Sequence, residues 1–165
     1  MNFRDRLRRG EQLIGTLLTL GSAQAAEILS RADFDWLFVD LEHSAMGPSE
    51  AQSLLQAVGT TPTLVRVESR DETGIRKALD LGATGIIVPQ VNSRAEAERI
   101  VSLAKYSPLG QRSVGLGRAT NYGNNFAEYI QRANDETVGV LQIEHIDAVN
   151  CIEDIASVDG IDAFF

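Results

Sequence analysis

The stretch Trp36-Leu37-Phe38-Val39-Asp40-Leu41-Glu42-His43 is a short apolar run that ends abruptly in ionisable side chains. Both of its faces are apolar and no helical period appears, which is the pattern of a strand buried in a parallel sheet. Proteins of the α/β class gather their chemistry at the C-terminal ends of such strands. A purely structural strand has no reason to finish in Asp, Glu and His. The end of this run is therefore the first candidate for a catalytic site.

Similar apolar runs recur at Ile14–Leu20, Thr63–Val67, Gly85–Val88, Val138–Ile143 and Ile161–Phe165. Helical patterns lie between them. Ser22 is placed to cap one that carries Ala26, Ile28, Leu29 and Ala32. Pro48 suits a first helical turn before Leu54, Leu55 and Val58, with Gly59 as its end. Asp71 opens a helix through Ile75, Ala78 and Leu79 that closes at Gly82. Asn92 or Ser93 starts the next, and Pro108 forbids its continuation. Asp147 precedes a last pattern of Val149, Ile152 and Ile155.

Strand and helix alternating at intervals of about 21–27 residues is the rhythm of βαβ units and a parallel sheet. The one long interval, between the fourth and fifth strands, adds a helix (Phe126, Tyr129, Ile130, Ala133) and the glycine-rich loop Pro108–Gly123. A doubly wound sheet would show a phosphate-binding glycine fingerprint after an early strand. Gly115-Leu116-Gly117 is only a weak echo of it, in the wrong context. Polar residues ending several different strands favour a (β/α)8 barrel instead. A complete barrel takes about 250 residues. The 165 residues present predict one domain, 1–165, that is a partial barrel of six βα units ending in strand six.

Composition narrows the class. Charged residues make up 23% and hydrophobic ones 44%, ordinary for a globular protein. The net charge of −8 argues against nucleic acid as a partner. The run Arg4, Arg6, Arg8, Arg9, interleaved with Phe3 and Leu7, reads as a solvated first helix. Cys151 is the single cysteine, so no internal disulfide forms, and its helical pattern points to packing. No run approaches the roughly 20 apolar residues that span a bilayer, and no signal-peptide core is present, so a cytoplasmic protein without membrane partners is expected.

At the strand ends stand Asp40, Glu42 and His43, then Arg66, then Pro89 and Gln90, then Gln142 and Glu144. In a barrel these converge on one mouth. His43 suits a general base oriented by a carboxylate, the usual task of an imidazole, with Asp40 or Asp80 as that partner. It equally suits a capped loop residue. Arg66 in an apolar run asks for an anion, a carboxylate or an enolate oxygen, unless it pairs with Glu68. Glu42 reads as a structural ion pair as readily as a functional group. Glu144 offers an oxygen to a divalent cation, or is simply a surface acid. Oxygen donors without clustered cysteine or histidine suit Mg2+ or Mn2+ better than structural zinc. His145 reads as structural.

Longer segments carry a resemblance. Phe34-Asp35-Trp36-Leu37-Phe38-Val39-Asp40-Leu41-Glu42-His43, Leu64-Val65-Arg66-Val67, and Leu79-Asp80-Leu81-Gly82-Ala83 followed by Ile87-Val88-Pro89 resemble motifs of the HpcH/HpaI aldolase family. Tyr106-Ser107-Pro108-Leu109-Gly110-Gln111-Arg112 looks like that family's Tyr-Pro-Pro-x-Gly-x-Arg turn. Arg132-Ala133-Asn134-Asp135 and Leu141-Gln142-Ile143-Glu144 complete the match, in order and with matching spacing.

The resemblance implies a (β/α)8 barrel and a metal-dependent, class II cleavage of 4-hydroxy-2-oxo acids to pyruvate, or a close relative, and an aldehyde. It implies a divalent cofactor, Mg2+ or Mn2+ with Co2+ as a further option, and a homo-oligomer, a hexamer in the family. By position, His43 resembles the catalytic base with Asp40 and Asp80 nearby. Arg66 resembles the group that holds the keto oxygen, Glu144 a metal ligand, and Gln142 a residue lining the metal site and the substrate. The family's Gly-Pro-x-Asp-Leu, which supplies a second metal carboxylate, is expected just beyond Phe165. Two other functions stay in view: a non-catalytic barrel remnant that oligomerises, and a CoA-thioester lyase of citrate-lyase type. The loop around Arg118–Tyr122 is a candidate for setting the aldehyde specificity.

Overall fold

The computed structural model describes residues 1–165. Its centre is one wholly parallel sheet of six strands in chain order: β1 Gly15–Leu18, β2 Trp36–Asp40, β3 Thr63–Arg66, β4 Gly85–Val88, β5 Val138–Leu141 and β6 Ala163–Phe164. Helix α1 Phe3–Arg8 precedes the sheet, and the strands are connected by α2 Ala23–Ser30, α3 Pro48–Ala57, α4 Glu72–Asp80, α5 Arg94–Ala104, α6 Phe126–Glu136, α7 Ile146–Asn150 and α8 Ile152–Ala156. A 3-10 segment, Arg118–Gly123, precedes α6. The sheet curls into an open barrel with the connecting helices outside, so the expected partial barrel is observed. No helix is long and apolar enough to cross a membrane.

Strand alternation divides the apolar side chains between two cores. Leu37 and Val39, Val65, Ile86 and Val88, and Leu141 pack outward against Leu54, Leu55, Ile75, Leu79 and Ile100 of the helices. Each such fully buried side chain contributes about 1.5–3 kcal/mol. Phe38, Leu64, Ile87 and Val140 point the other way, with Phe3 and Val138, into a smaller concave core. The period of two then carries Asp40, Arg66 and Gln142 to the same concave side, two residues further along their strands.

Strand β4 has the bounds read from the sequence, and β2 takes the apolar part of its run, ending at Asp40 where the charges begin. The outermost strands are shorter than expected: β1 stops at Leu18, leaving Leu20 exposed, and β6 keeps only Ala163 and Phe164. Each has a single neighbour, so its ends lack a second ladder to hold them.

The helix ends follow their caps. The Ser22 hydroxyl accepts from the Ala25 amide, Asp71 from the Gly74 amide and Ser93 from the Glu96 amide, which settles Ser93 as the start of α5. Gly82 closes α4 in the left-handed region at φ +88°. His145 caps the last helical stretch, its Nδ1 accepting from the Asp147 amide at 3.2 Å, and the stretch breaks into α7 and α8 at Cys151. The Cys151 side chain packs at the rim of the outer core, as expected.

The first helix departs from the reading of a solvated basic run. Arg4 is buried, and its Nε donates to both oxygens of Asp162 at 2.8 and 2.9 Å, while Nη1 reaches the carbonyls of Asn134 and Asp135. Beside it, buried Lys105 gives Nζ to the carbonyls of Asn134 and Thr137, both at 2.8 Å. Basic side chains here tie the N-terminus to the starts of β5 and β6. Composition alone does not reveal that.

A candidate active site at the strand ends

Asp40 and Arg66 are register partners at the last rungs of β2 and β3, so the sheet itself sets them side by side. The Arg66 guanidinium grips Asp40 in a fork, Nε to Oδ1 at 2.9 Å and Nη2 to Oδ2 at 2.7 Å. Its third nitrogen, Nη1, donates to Gln142 Oε1 at 3.2 Å, across from β5. The Phe38 ring lies 5.3 Å below the guanidinium carbon. Arg66 therefore meets an anion, as expected, and the alternative pairing with Glu68 is absent.

Asp40 also closes the turn that follows its strand. Its Oδ1 accepts from the backbone amides of Glu42 at 3.0 Å and His43 at 3.2 Å. Burial pushes the Asp40 carboxyl up, but the Arg66 bonds and these amides outweigh it and hold the carboxyl below the usual range. The Asp40 and Glu42 carboxylates hold the Arg66 pKa above its ordinary value, and Glu144 adds to this.

The turn delivers Glu42 into the cluster. Its side chain is 12% exposed, with Oε2 lying 3.3 Å from Arg66 Nε and 3.7 Å from His43 Nε2. That oxygen is buried and has no hydrogen-bond partner. His43 is exposed, and Glu42 is the carboxylate beside its ring. Asp40 touches only the His43 backbone, so it does not orient the imidazole as expected. The period of two running on from Asp40 is the signal that turns Glu42 inward, and the ion pair read for it is made with Arg66.

From β5, Gln142 passes its amide on to Glu144, Nε2 to Oε2 at 2.7 Å. The other oxygen of Glu144 accepts from the Gln90 amide at 2.8 Å, just past the end of β4. Gln90 holds a positive φ of 53° to present that amide, and Arg70 binds its carbonyl. Asp40, Glu42, Arg66, Gln142 and Glu144 thus form one connected set, with His43 at its rim.

Asp80 is not part of this set. It ends α4, which runs back to the N-terminal side of the sheet, whereas His43 follows the C-terminal end of β2. There Asp80 accepts from Arg112 Nη2 at 2.8 Å. Arg112 is held in turn over the rings of Tyr106 and Tyr129, at 4.6 and 5.8 Å. The Arg118–Tyr122 loop lies at that same end, lining a 680 Å³ cavity with Thr84, Tyr129 and Thr137. Within one chain, neither element faces the strand-end cluster. Sequence spacing fixes that a residue ends a helix, not which mouth of the barrel that helix end approaches.

The fit to a divalent cation rests on two observations. Three carboxylates, Asp40, Glu42 and Glu144, act on a single guanidinium, leaving the cluster with excess negative charge. Glu42 Oε2 is a buried acceptor without a donor. No group of three or more His, Cys, Asp or Glu is assembled tightly enough to hold a metal unaided. A cation of the Mg2+ type, which keeps water and substrate oxygens beside one or two carboxylates, is compatible with that arrangement. Glu144 would hold it, with Gln142 beside it.

The chain is similar in sequence and fold to known proteins. The family model described as HpcH/HpaI aldolase/citrate lyase matches residues 14–165. A hydroxypyruvate/pyruvate aldolase of Sagittula stellata is 43% identical over 99% of the chain, and a 4-hydroxy-2-oxovalerate aldolase of Novosphingobium aromaticivorans is 38% identical over 99%. The chain spans 65% and 63% of the lengths of those relatives. The crystal structure of a HpcH/HpaI aldolase/citrate lyase family protein from Burkholderia cenocepacia superimposes with a TM-score of 0.93 at 34% identity, covering 98% of this chain and 66% of that one. The parallel strands, the carboxylate–guanidinium cluster at their ends and these likenesses agree: the chain belongs to the HpcH/HpaI aldolase/citrate lyase family.

Proposed function

We propose that the strand-end cluster binds a 2-oxo acid together with a divalent cation, Mg2+ or Mn2+, and cleaves 4-hydroxy-2-oxo acids to pyruvate, or a close relative, and an aldehyde. The observation that carries this reading is the guanidinium of Arg66, buried at the mouth among carboxylates and braced by Asp40 and Gln142. The names of the relatives, aldolases of hydroxypyruvate/pyruvate and of 4-hydroxy-2-oxovalerate, support the substrate class.

The residues divide the work as follows. His43, at the exposed rim, takes the proton of the C4 hydroxyl while the C3–C4 bond breaks and the aldehyde departs. The bonding pair moves to C3 and the 2-oxo oxygen, giving an enolate. Arg66 stabilises that oxygen where its charge develops, and the Asp40 fork fixes the guanidinium beforehand. A proton returned to C3 completes pyruvate. A divalent cation supplies Lewis-acid stabilisation of the same charge when bound, with Glu144 as its protein ligand and Gln142 holding Glu144 in place. The exposed apolar side chains Leu116, Tyr122 and Phe126 support self-association into a homo-oligomer.

The test is a pyruvate-release assay on 4-hydroxy-2-oxo acids with added Mn2+. Release that EDTA abolishes and Mn2+ restores is the expected result. Release that is indifferent to EDTA, or no release from any member of the class, contradicts the reading.

A further inference from the structure

We propose that Glu42 is a second carboxylate serving the divalent cation from within this stretch of chain, an inference that rests on the reading of the cluster as a cation-assisted site. Three features single it out. Its Oε2 is buried yet accepts no hydrogen bond, an arrangement that is costly unless a missing donor or cation faces it. Arg66, its nearest cation, is already engaged by Asp40 through Nε and Nη2 and by Gln142 through Nη1, so the 3.3 Å approach to Arg66 Nε adds charge but no further bond. The same Arg66 links Glu42 through Gln142 to Glu144, which places both carboxylates around one guanidinium at the mouth.

Glu42 then acts on the cation by charge and by offering its free oxygen to the cation's outer coordination shell. Partners of that kind tune metal affinity by about 10–100-fold. Asp40 cannot take this part, since both its oxygens are spent on Arg66 and on the turn amides.

The experiment measures Mn2+ binding to the protein by titration calorimetry and by the loss of the free-ion electron paramagnetic resonance signal. Glu42→Gln keeps the shape and removes the charge, and it is expected to weaken Mn2+ binding about tenfold or more. Glu42→Asp draws the carboxylate back by one methylene and is expected to weaken it severalfold, which keeps the test alive if the Gln variant does not fold. Wild-type Mn2+ affinity in a folded Glu42 variant overturns the proposal, even if pyruvate KM rises, because Glu42 would then serve Arg66 alone. Glu144→Gln is measured alongside. If it retains wild-type affinity, the cation-site reading itself fails, whatever Glu42 shows.

Discussion

Arg66 and Asp40 face each other on adjacent strands as a two-bond fork, at 2.9 and 2.7 Å, with both side chains buried. Two ions out of water are tolerable only as a pair, so removing one partner costs more than the pair contributes. Arg66→Ala is expected to destabilise the protein by about 3 kcal/mol, because Asp40 is left charged and buried. Urea denaturation checks this. Arg66→Lys recovers some of that stability but not turnover, since an ammonium cannot reproduce the fork.

On the proposed reading, His43 is the base and Glu144 the metal ligand, and variants of the two separate these roles. His43→Ala and Glu144→Ala should both lose aldol cleavage, while only Glu144→Ala weakens Mn2+ binding. Equal metal affinity in the two variants would remove Glu144 from its assigned part.

Alkaline pH reports on the far end of the barrel. Burial lowers the Lys105 pKa to about 8, with the positive charge of Arg4 helping, and a neutral amine still has the two N–H groups that its two carbonyl partners need. The unfolded chain keeps its proton up to about 10.4, so it binds more protons than the folded one between those values, and stability rises with pH across that window. Tyr106 has the opposite sign. Burial raises it to about 12, so the unfolded chain loses that proton first and stability falls above pH about 10. Denaturation midpoints at several pH values should therefore climb between pH about 8 and 10 in wild type and not in Lys105→Met.

Arg112 is stacked over Tyr106 and Tyr129 while bonded to Asp80, which ties the end of α4 to the loop before α6. Arg112→Lys loses the planar stacking and is expected to lower stability by about 1–2 kcal/mol, read from thermal melts. The kinetics of a residue that only fastens this end should change little.

At Gly85 the backbones of β4 and β5 come close enough that a Cβ would strike the Val138 carbonyl. Gly85→Ala forces the strands apart and is expected to cost about 1–3 kcal/mol, although alanine suits the local backbone.

Much of this was legible in the residues. Runs such as Trp36–Asp40 and Gly85–Val88 are apolar on both faces because helices cover one side and the barrel interior the other, so their ends read accurately. Arg66 stood out because an arginine in such a run needs a buried anion, and Asp40 is that anion. What the residues alone do not give is three-dimensional placement. Within one chain Asp80 matches its motif but sits at the opposite mouth, Arg4 is buried by Asp162, and Glu42 is carried inward by a turn whose geometry Asp40 dictates.

On the proposed reading, this mouth stabilises a pyruvate enolate. Enolate formation exchanges the methyl protons of pyruvate without any aldehyde, so proton NMR of pyruvate in D2O with Mg2+ isolates that step. Protein-dependent loss of the methyl signal is expected, and EDTA should stop it and Arg66→Ala abolish it. A methyl signal that persists at saturating Mg2+, or exchange that survives Arg66→Ala, would contradict it.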